Sequence, residues 1–224
     1  MVKGLLIMEE DKAGVREFLQ EFPGMSRVPS SGPEVVLRGV FEFSACPPKD
    51  LKIRDKYHLR ITVPPSFPQA IPRVIELDRK IPRTGEYHVN YVTDNTLCLG
   101  SPLRLLEKID NNPTLVGFAN ECLIPYLYAV TYKLQFGGDL VFNELAHGKQ
   151  GIIDDYLVLF GLSELKQVLQ TVQLLGMKKK VADKQPCPCG CGLKLEQCNY
   201  RLKIDKFRRL ADKSWFRKCL TDLL

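Results

Sequence analysis

The chain has 224 residues, 45% apolar and 26% charged, which is an ordinary composition for a globular protein and enough length for one substantial domain plus an appendage. No segment approaches the roughly 18 consecutive apolar residues of a transmembrane helix, and the N-terminus lacks the long apolar core of a signal peptide. We therefore expect a cytoplasmic protein with reduced thiols, whose clustered cysteines favour a metal over disulfides.

The N-terminal part predicts a helix followed by antiparallel strands. Residues 9–22 place apolar side chains on one helical face, and Pro23 ends the helix. Residues 32–45 and 56–65 alternate apolar with polar side chains, a period of two that is typical of antiparallel strands with one wet face. A third strand at 73–77 follows a proline-rich turn.

The C-terminal part predicts helices. The sequence is irregular over 78–112, helical beyond Pro113 with a kink or split at Pro125, and helical again over roughly 152–175. One amphipathic tail helix is predicted from a single apolar stripe, formed by Ile204, Phe207, Ala211, Trp215 and Cys219. The order of helix, three antiparallel strands, irregular region and helices predicts an α+β fold.

The stretch HVNYVTDNTLCLG, residues 88–100, holds a candidate nucleophile. Cys98 can accept an acyl group as a thioester and pass it to an amine. Asn90, eight residues earlier, can donate an amide hydrogen bond to the oxyanion that forms in both steps. A lone cysteine between Leu97 and Leu99 is also a common packing residue, so the pattern by itself leaves both interpretations open.

Two segments together resemble the core of the ubiquitin-conjugating enzymes, the UBC fold. VPPSFPQAIPRV, residues 63–74, is similar to the proline-rich turn between two strands of that family, in register and without a gap. His88-Val89-Asn90, followed by Cys98-Leu99, resembles the family's His-Pro-Asn motif and its catalytic cysteine eight residues after the asparagine. The resemblance covers about residues 5–160. The chain departs from the family pattern at several positions, including Val89 in place of proline. With these departures it resembles the bacterial UBC-like proteins of antiphage operons more than a eukaryotic enzyme.

This resemblance implies roles for three residues. Cys98 would carry the thioester, Asn90 would stabilise the oxyanion or order the loop, and His88 would brace the active-site loop without transferring a proton. The implied donor is a ubiquitin-like modifier, or a cyclic-nucleotide synthase (CD-NTase-like protein) of the CBASS antiviral systems, with a C-terminal glycine. The implied acceptor is a protein lysine or another amine. The chain has no nucleotide-binding activating domain, so either a separate activating enzyme adenylates the donor or the mechanism does without adenylation. The prediction is thus an acyltransferase of the ubiquitin-conjugating type in bacterial antiviral defence.

His147 is a candidate base. Glu144 and His147 would share a helix face, and an imidazole can accept a proton from an incoming amine near neutral pH. The alternative is a helix end, with Gly148 after the last turn and a histidine favoured there by the helix dipole.

The stretch CPCGCGLKLEQCN, residues 187–199, concentrates four cysteines. Cys187, Cys189 and Cys198, with intervening glycines that allow a tight turn, strongly resemble the SEC-C zinc motif C-P-C-G-S-G-x-K-x-x-x-C-[CH]. Asn199 stands where that motif has its fourth ligand, so Cys191, a water or another residue completes the site. The resemblance implies a structural Zn²⁺ that supplies the folding energy of a short module.

The predicted organisation is a UBC-like conjugating domain at 1–176, a basic linker at 177–185, and a SEC-C-like zinc module with its tail helix at 186–224. The net charge of +6 lies in the tail, because residues 178–224 carry 13 basic and 5 acidic residues whereas residues 1–177 carry 19 and 21. The alternative functions are a non-catalytic UBC-fold scaffold that binds proteins and a nucleic-acid adaptor. The tail aromatics follow no recognised nucleic-acid pattern, which favours a protein partner, and no membrane partner is expected.

Overall fold

A computed structural model describes residues 13–46, 51–140 and 148–224. The chain divides into two compact units, Met1–Glu144 and Leu145–Leu224. The first unit contains a four-stranded antiparallel sheet and helices, so the predicted α+β class is confirmed.

The sheet of the first unit follows a short helix, α1 (Val15–Glu21). Its strands lie in the order in which they occur in the chain, each antiparallel to the next. They are β1 (Met25–Val28), β2 (Val35–Ala45), β3 (Ile53–Val63) and β4 (Arg73–Glu76). The prediction of β2, β3 and β4 is confirmed, whereas β1 is an additional strand.

Alternating burial along β2 and β3 follows the predicted period of two. Leu37 and Phe41 of β2 and Leu59 and Ile61 of β3 are fully buried. Between the two β2 residues, on the same face, stands Gly39, and a Cβ there would lie 2.2 Å from the Gly24 carbonyl oxygen. Because Gly39 has no side chain, the backbone at Gly24 can approach β2 closely, and β1 can therefore begin directly after α1.

Among the described residues of the first unit, three helices follow the sheet: α2 (Pro102–Asn111), α3 (Leu115–Phe118) and α4 (Ile124–Phe136). A five-residue π turn, Ala119–Leu123, joins α3 to α4. Because proline cannot donate a helical hydrogen bond, the change from α to π hydrogen bonding just before Pro125 lies where the sequence predicts a kink or a split. Helix α2 lies in the region that the sequence predicted as irregular, which is therefore wrong for these residues.

The second unit is helical around the cysteine segment. Its elements are α5 (Lys149–Phe160), α6 (Leu165–Leu175), α7 (Lys179–Ala182), a 3₁₀ turn (Leu195–Gln197), α8 (Tyr200–Phe207) and α9 (Lys213–Leu223). Gly161, at φ 63°, ends α5 and separates it from α6. Asp212 begins α9 by accepting a hydrogen bond from the Trp215 backbone, so the predicted single tail helix is in fact two helices.

The compact units divide at 144/145, because α6 packs against α9 and against α8 and thus joins the cysteine segment. Residues 179–182, within the predicted linker, form helix α7, and Ala182 is fully buried. Among the described residues, no helix has both the length and the apolar composition that a bilayer span requires.

Candidate functional site

A short turn beside strand β4 brings His88 and Cys98 together. His88 follows a 3₁₀ turn, Gly85–Tyr87, and adopts a left-handed conformation with φ 50°. Its carbonyl oxygen accepts the backbone N–H of Cys98 at 2.7 Å. The neighbouring Leu97 N–H donates to the Val74 carbonyl oxygen of β4 at 2.8 Å. The segment that carries the thiol is therefore held to the sheet through Leu97 and to His88 through Cys98.

Asn90 organises the loop between His88 and Cys98. Its carbonyl oxygen accepts backbone N–H groups from three residues, Thr93, Asp94 and Asn95, at 3.0 to 3.2 Å. Its side-chain amide donates to Thr96 Oγ1 at 2.9 Å. This hydrogen bond corresponds to the loop-ordering alternative for Asn90, since one of its two amide hydrogens is already engaged within the loop.

Asp94 and Thr96 also order this loop, and the sequence analysis did not identify them. Thr96 Oγ1 donates to Asp94 Oδ1 at 2.7 Å, and the Thr96 backbone N–H donates to the same oxygen at 3.0 Å. Hydrogen bonding by the Thr96 side chain lowers the pKa of the Asp94 carboxyl. The sequence held a signal for this turn, because an aspartate side chain commonly accepts the backbone N–H two residues further along the chain.

The Cys98 thiol is half-buried. Burial raises the pKa of the thiol, and a backbone N–H donated by Gly100 opposes that rise. Because thiolate is the reactive form, a raised pKa favours the protonated thiol at neutral pH. The first unit also contains Cys122, a buried thiol whose pKa burial raises to about 11, and the exposed Cys46. The three thiols of this unit therefore differ in exposure: Cys46 is exposed, Cys98 is half-buried and Cys122 is buried.

The prediction for His147 and its neighbour Glu144 lies outside the described residues.

Four cysteine side chains of the second unit form one cluster. The sulfur atoms of Cys187, Cys189, Cys191 and Cys198 all lie within 4.8 Å of one another, and this group could hold a metal ion. Two of the separations are 3.2 Å, from Cys187 to Cys189, and 3.7 Å, from Cys189 to Cys198. A tetrahedral zinc site with Zn–S bonds of about 2.3 Å has sulfur atoms about 3.8 Å apart. The donor set and its dimensions therefore fit a Cys₄ metal site that includes Cys191.

Local backbone geometry gathers these thiols. Gly190 and Gly192 have φ angles of 83° and 76°, which L-residues with a Cβ rarely adopt. The Cys187 N–H donates to the Leu193 carbonyl oxygen at 2.8 Å and closes the loop. The backbone N–H of Tyr200 donates to Cys198 Sγ at 3.4 Å, an interaction that stabilises a thiolate ligand.

Helix α6 supports the cysteine loop. Gln170 Nε2 donates to the Pro186 carbonyl oxygen at 3.0 Å, immediately before Cys187. The hydroxyl groups of Thr171 and Tyr200 share a hydrogen bond of 3.3 Å. The cysteine cluster is therefore attached to a long helix of the same unit, not only to residues 186–224.

Several basic residues of the tail bind helix ends within the second unit. Lys203 Nζ donates to the Phe160 carbonyl oxygen at 2.8 Å, at the end of α5. Arg208 donates to the carbonyl oxygens of Leu174 and Met177 at 3.1 and 2.8 Å, at the end of α6. Cations are favoured at helix C-termini, where carbonyl groups lack helical partners. Part of the tail's positive charge therefore has a structural role.

Comparison with protein-family models, with curated proteins and with solved structures gives no match to the chain.

Proposed function

We propose that the first unit is an acyltransferase of the ubiquitin-conjugating type, with Cys98 as its nucleophile. The observation that carries this proposal is the position of Cys98: a half-buried thiol, fixed by its own N–H to His88 and lying at the end of the loop that Asn90 orders. The resemblance of this segment to the conjugating enzymes supplies the chemistry.

The proposed reaction has two steps. The Cys98 thiolate attacks the activated C-terminal carbonyl of a modifier, a C–S bond forms, and the activating group leaves with its bonding electrons. An amine then attacks the thioester, a C–N bond forms, the C–S bond breaks, and the sulfur leaves as thiolate while the amine loses a proton. The proposed donor is a ubiquitin-like modifier or a CD-NTase-like protein with a C-terminal glycine, activated by a separate enzyme, and the acceptor is a lysine.

Trapping the intermediate on a non-reducing gel tests this proposal. The chain is mixed with an activated, glycine-terminated modifier, and an adduct that a reducing agent cleaves is expected. The adduct should disappear in Cys98→Ala and persist in Cys46→Ala, which removes the exposed thiol of the same unit. An adduct that survives in Cys98→Ala would contradict the assignment of the nucleophile.

A non-catalytic binding scaffold is the second candidate, and the burial of the Cys98 thiol favours it. Burial raises the pKa of this thiol, and the rise lowers the population of thiolate near neutral pH. A scaffold would bind its partner equally well as the wild type and as Cys98→Ala, and neither would form an adduct. Comparing binding and adduct formation in the two proteins therefore separates the candidates.

We propose further that the cysteine cluster holds a structural zinc ion. Thiolates are soft ligands that suit zinc, and four of them form a closed tetrahedral shell without a position for substrate. Cys187, Cys189, Cys191 and Cys198 would be the ligands, and the metal would stabilise the loop that they share.

Metal analysis of the purified protein tests the zinc proposal. About one zinc per chain is expected. Cys187→Ser should lose most of it, whereas Cys219→Ser, which removes a thiol of the same unit outside the cluster, should keep it. Equal zinc contents in the two variants would contradict the proposed ligand set.

A further inference from the structure

Helix α4 holds the segment that leads into the Cys98 turn. The Tyr126 hydroxyl donates to the Tyr87 carbonyl oxygen at 2.7 Å. About two turns further along the same helix, Lys133 Nζ donates to the Glu86 carbonyl oxygen at 3.2 Å and lies 5.2 Å from the centre of the Tyr87 ring. Two side chains of one helix thus bind consecutive carbonyl groups of the 3₁₀ turn before His88.

These contacts connect to the backbone of Cys98 through His88. The Tyr87 carbonyl belongs to the peptide group that joins Tyr87 to His88, and the next carbonyl, that of His88, accepts the Cys98 N–H at 2.7 Å. His88 has a left-handed conformation, which is strained for a non-glycine residue and persists only when its surroundings hold it. The Tyr126 hydrogen bond fixes the peptide group that precedes this strained residue.

The far end of the same segment is fixed as well. Glu76 is fully buried at the end of β4, and its carboxylate lies 3.6 Å from the Arg83 guanidinium. Arg83 also donates to the Glu76 carbonyl oxygen, and the Asp78 N–H donates to the Glu76 carboxylate at 2.9 Å. The connection from β4 is therefore held near Arg83, which leaves the peptide groups of the 3₁₀ turn to be fixed by α4.

We propose that Tyr126 and Lys133 are positioning residues for the Cys98 thiol, acting through the Tyr87 and Glu86 carbonyl groups and the His88 peptide to set how deeply the thiol is buried. The inference deepens the proposed function because it concerns the same thiol. It predicts that removal of the Tyr126 hydroxyl frees the turn and exposes Cys98.

Alkylation of the full-length protein by iodoacetamide tests this proposal, with the Cys98 peptide followed by mass spectrometry. Tyr126→Phe keeps the buried ring and removes the hydroxyl. Loss of one hydrogen bond of typical strength changes an equilibrium by about 5- to 10-fold, so Cys98 alkylation at pH 8 should accelerate by about that factor. The rate should also reach its plateau at a lower pH, because a more exposed thiol has a lower pKa.

Tyr128→Phe is the matched control. It lies on the same helix, it is fully buried, and its hydroxyl donates to the Leu51 carbonyl oxygen at 2.8 Å, away from the Cys98 turn. The control removes the same type of hydrogen bond and should leave Cys98 alkylation within about twofold of wild type. Equal effects of Tyr126→Phe and Tyr128→Phe on the Cys98 rate would overturn the proposal and assign Tyr126 a general structural role.

A second variant covers the case in which Tyr126→Phe does not fold. Lys133→Met keeps a long apolar side chain and removes both the hydrogen bond to the Glu86 carbonyl oxygen and the ammonium group near the Tyr87 ring, so it should accelerate Cys98 alkylation by about 2- to 5-fold. An unchanged rate in this variant would then overturn the proposal. Alkylation needs no modifier, so it tests the positioning role separately from acyl transfer. Faster Cys98 alkylation in the variants, together with the absence of any conjugation product, would contradict only the proposed acyl transfer.

Discussion

Replacing Arg208 by alanine should destabilise the second unit. The Arg208 side chain is 16% exposed, and it donates to Leu174 and Met177 carbonyl oxygens at 3.1 and 2.8 Å. Each hydrogen bond from a charged donor contributes about 1.5 kcal/mol, so the two bonds together contribute about 3 kcal/mol. For a unit of this length, each kcal/mol corresponds to about 4–8 °C, which gives an expected fall in Tm of about 12–24 °C.

The fluorescence of Trp215 reports this unfolding. It is the single tryptophan of the chain and lies in α9 of the second unit. Arg209→Ala is the control, because Arg209 is exposed beside Arg208 and its loss changes the net charge equally. A control Tm near that of wild type is expected. If the two variants melt at the same temperature, the helix-end role of Arg208 is refuted and only net charge matters.

Three further predictions concern the two candidate sites. Because burial raises the pKa of Cys98, its alkylation rate should still increase with pH above about 8.5, the ordinary thiol value, and a plateau below that pH would contradict the burial of the thiol. If the Asn90 amide stabilises the oxyanion, Asn90→Ala should slow acyl transfer by about 10²–10³-fold. If the amide only orders the loop, Asn90→Ala should slow acyl transfer no more than Thr96→Val does, because Thr96→Val removes the same hydrogen bond. Cys191→Ser should release zinc to a chelator faster than wild type in a colorimetric assay, and Asn199→Ala should not; the reverse order would identify Asn199 as the ligand.

The sheet could be predicted in large part, because β2 and β3 have long runs of alternating apolar and polar residues. Strand β1 has only four residues and no alternation that distinguishes it from a loop. It forms because Gly24 and Gly39 let two backbone segments approach closely, a tertiary contact that no local pattern records.

The missed helix and the missed helix break have different causes. Helix α2 begins at Pro102 after Ser101, which are favourable residues for a helix start, and its buried residues Leu103, Leu106 and Ile109 have helical spacing. These signals were available in the sequence. The break at Asp212 was harder to predict, because the apolar period continues through it while the Asp212 side chain starts a new helix.

At the candidate active site, the sequence pointed to His88, Asn90 and Cys98, and the structure brings all three into one loop. The hydrogen bond from Tyr126 to the Tyr87 carbonyl oxygen comes from helix α4, which lies about 30 residues further along the chain and has no sequence motif in common with the loop. Contacts of this kind arise from packing, and local sequence reasoning cannot supply them.

Peptide mapping of the chain after brief incubation with an activated, glycine-terminated modifier tests the nucleophile most directly. The proposed function predicts that the modifier's mass is attached to the peptide containing Cys98, that hydroxylamine or a thiol removes it, and that an added amine converts it to a stable amide. A modifier mass found only on other residues, or an unmodified Cys98 under conditions where the donor is fully activated, would contradict it.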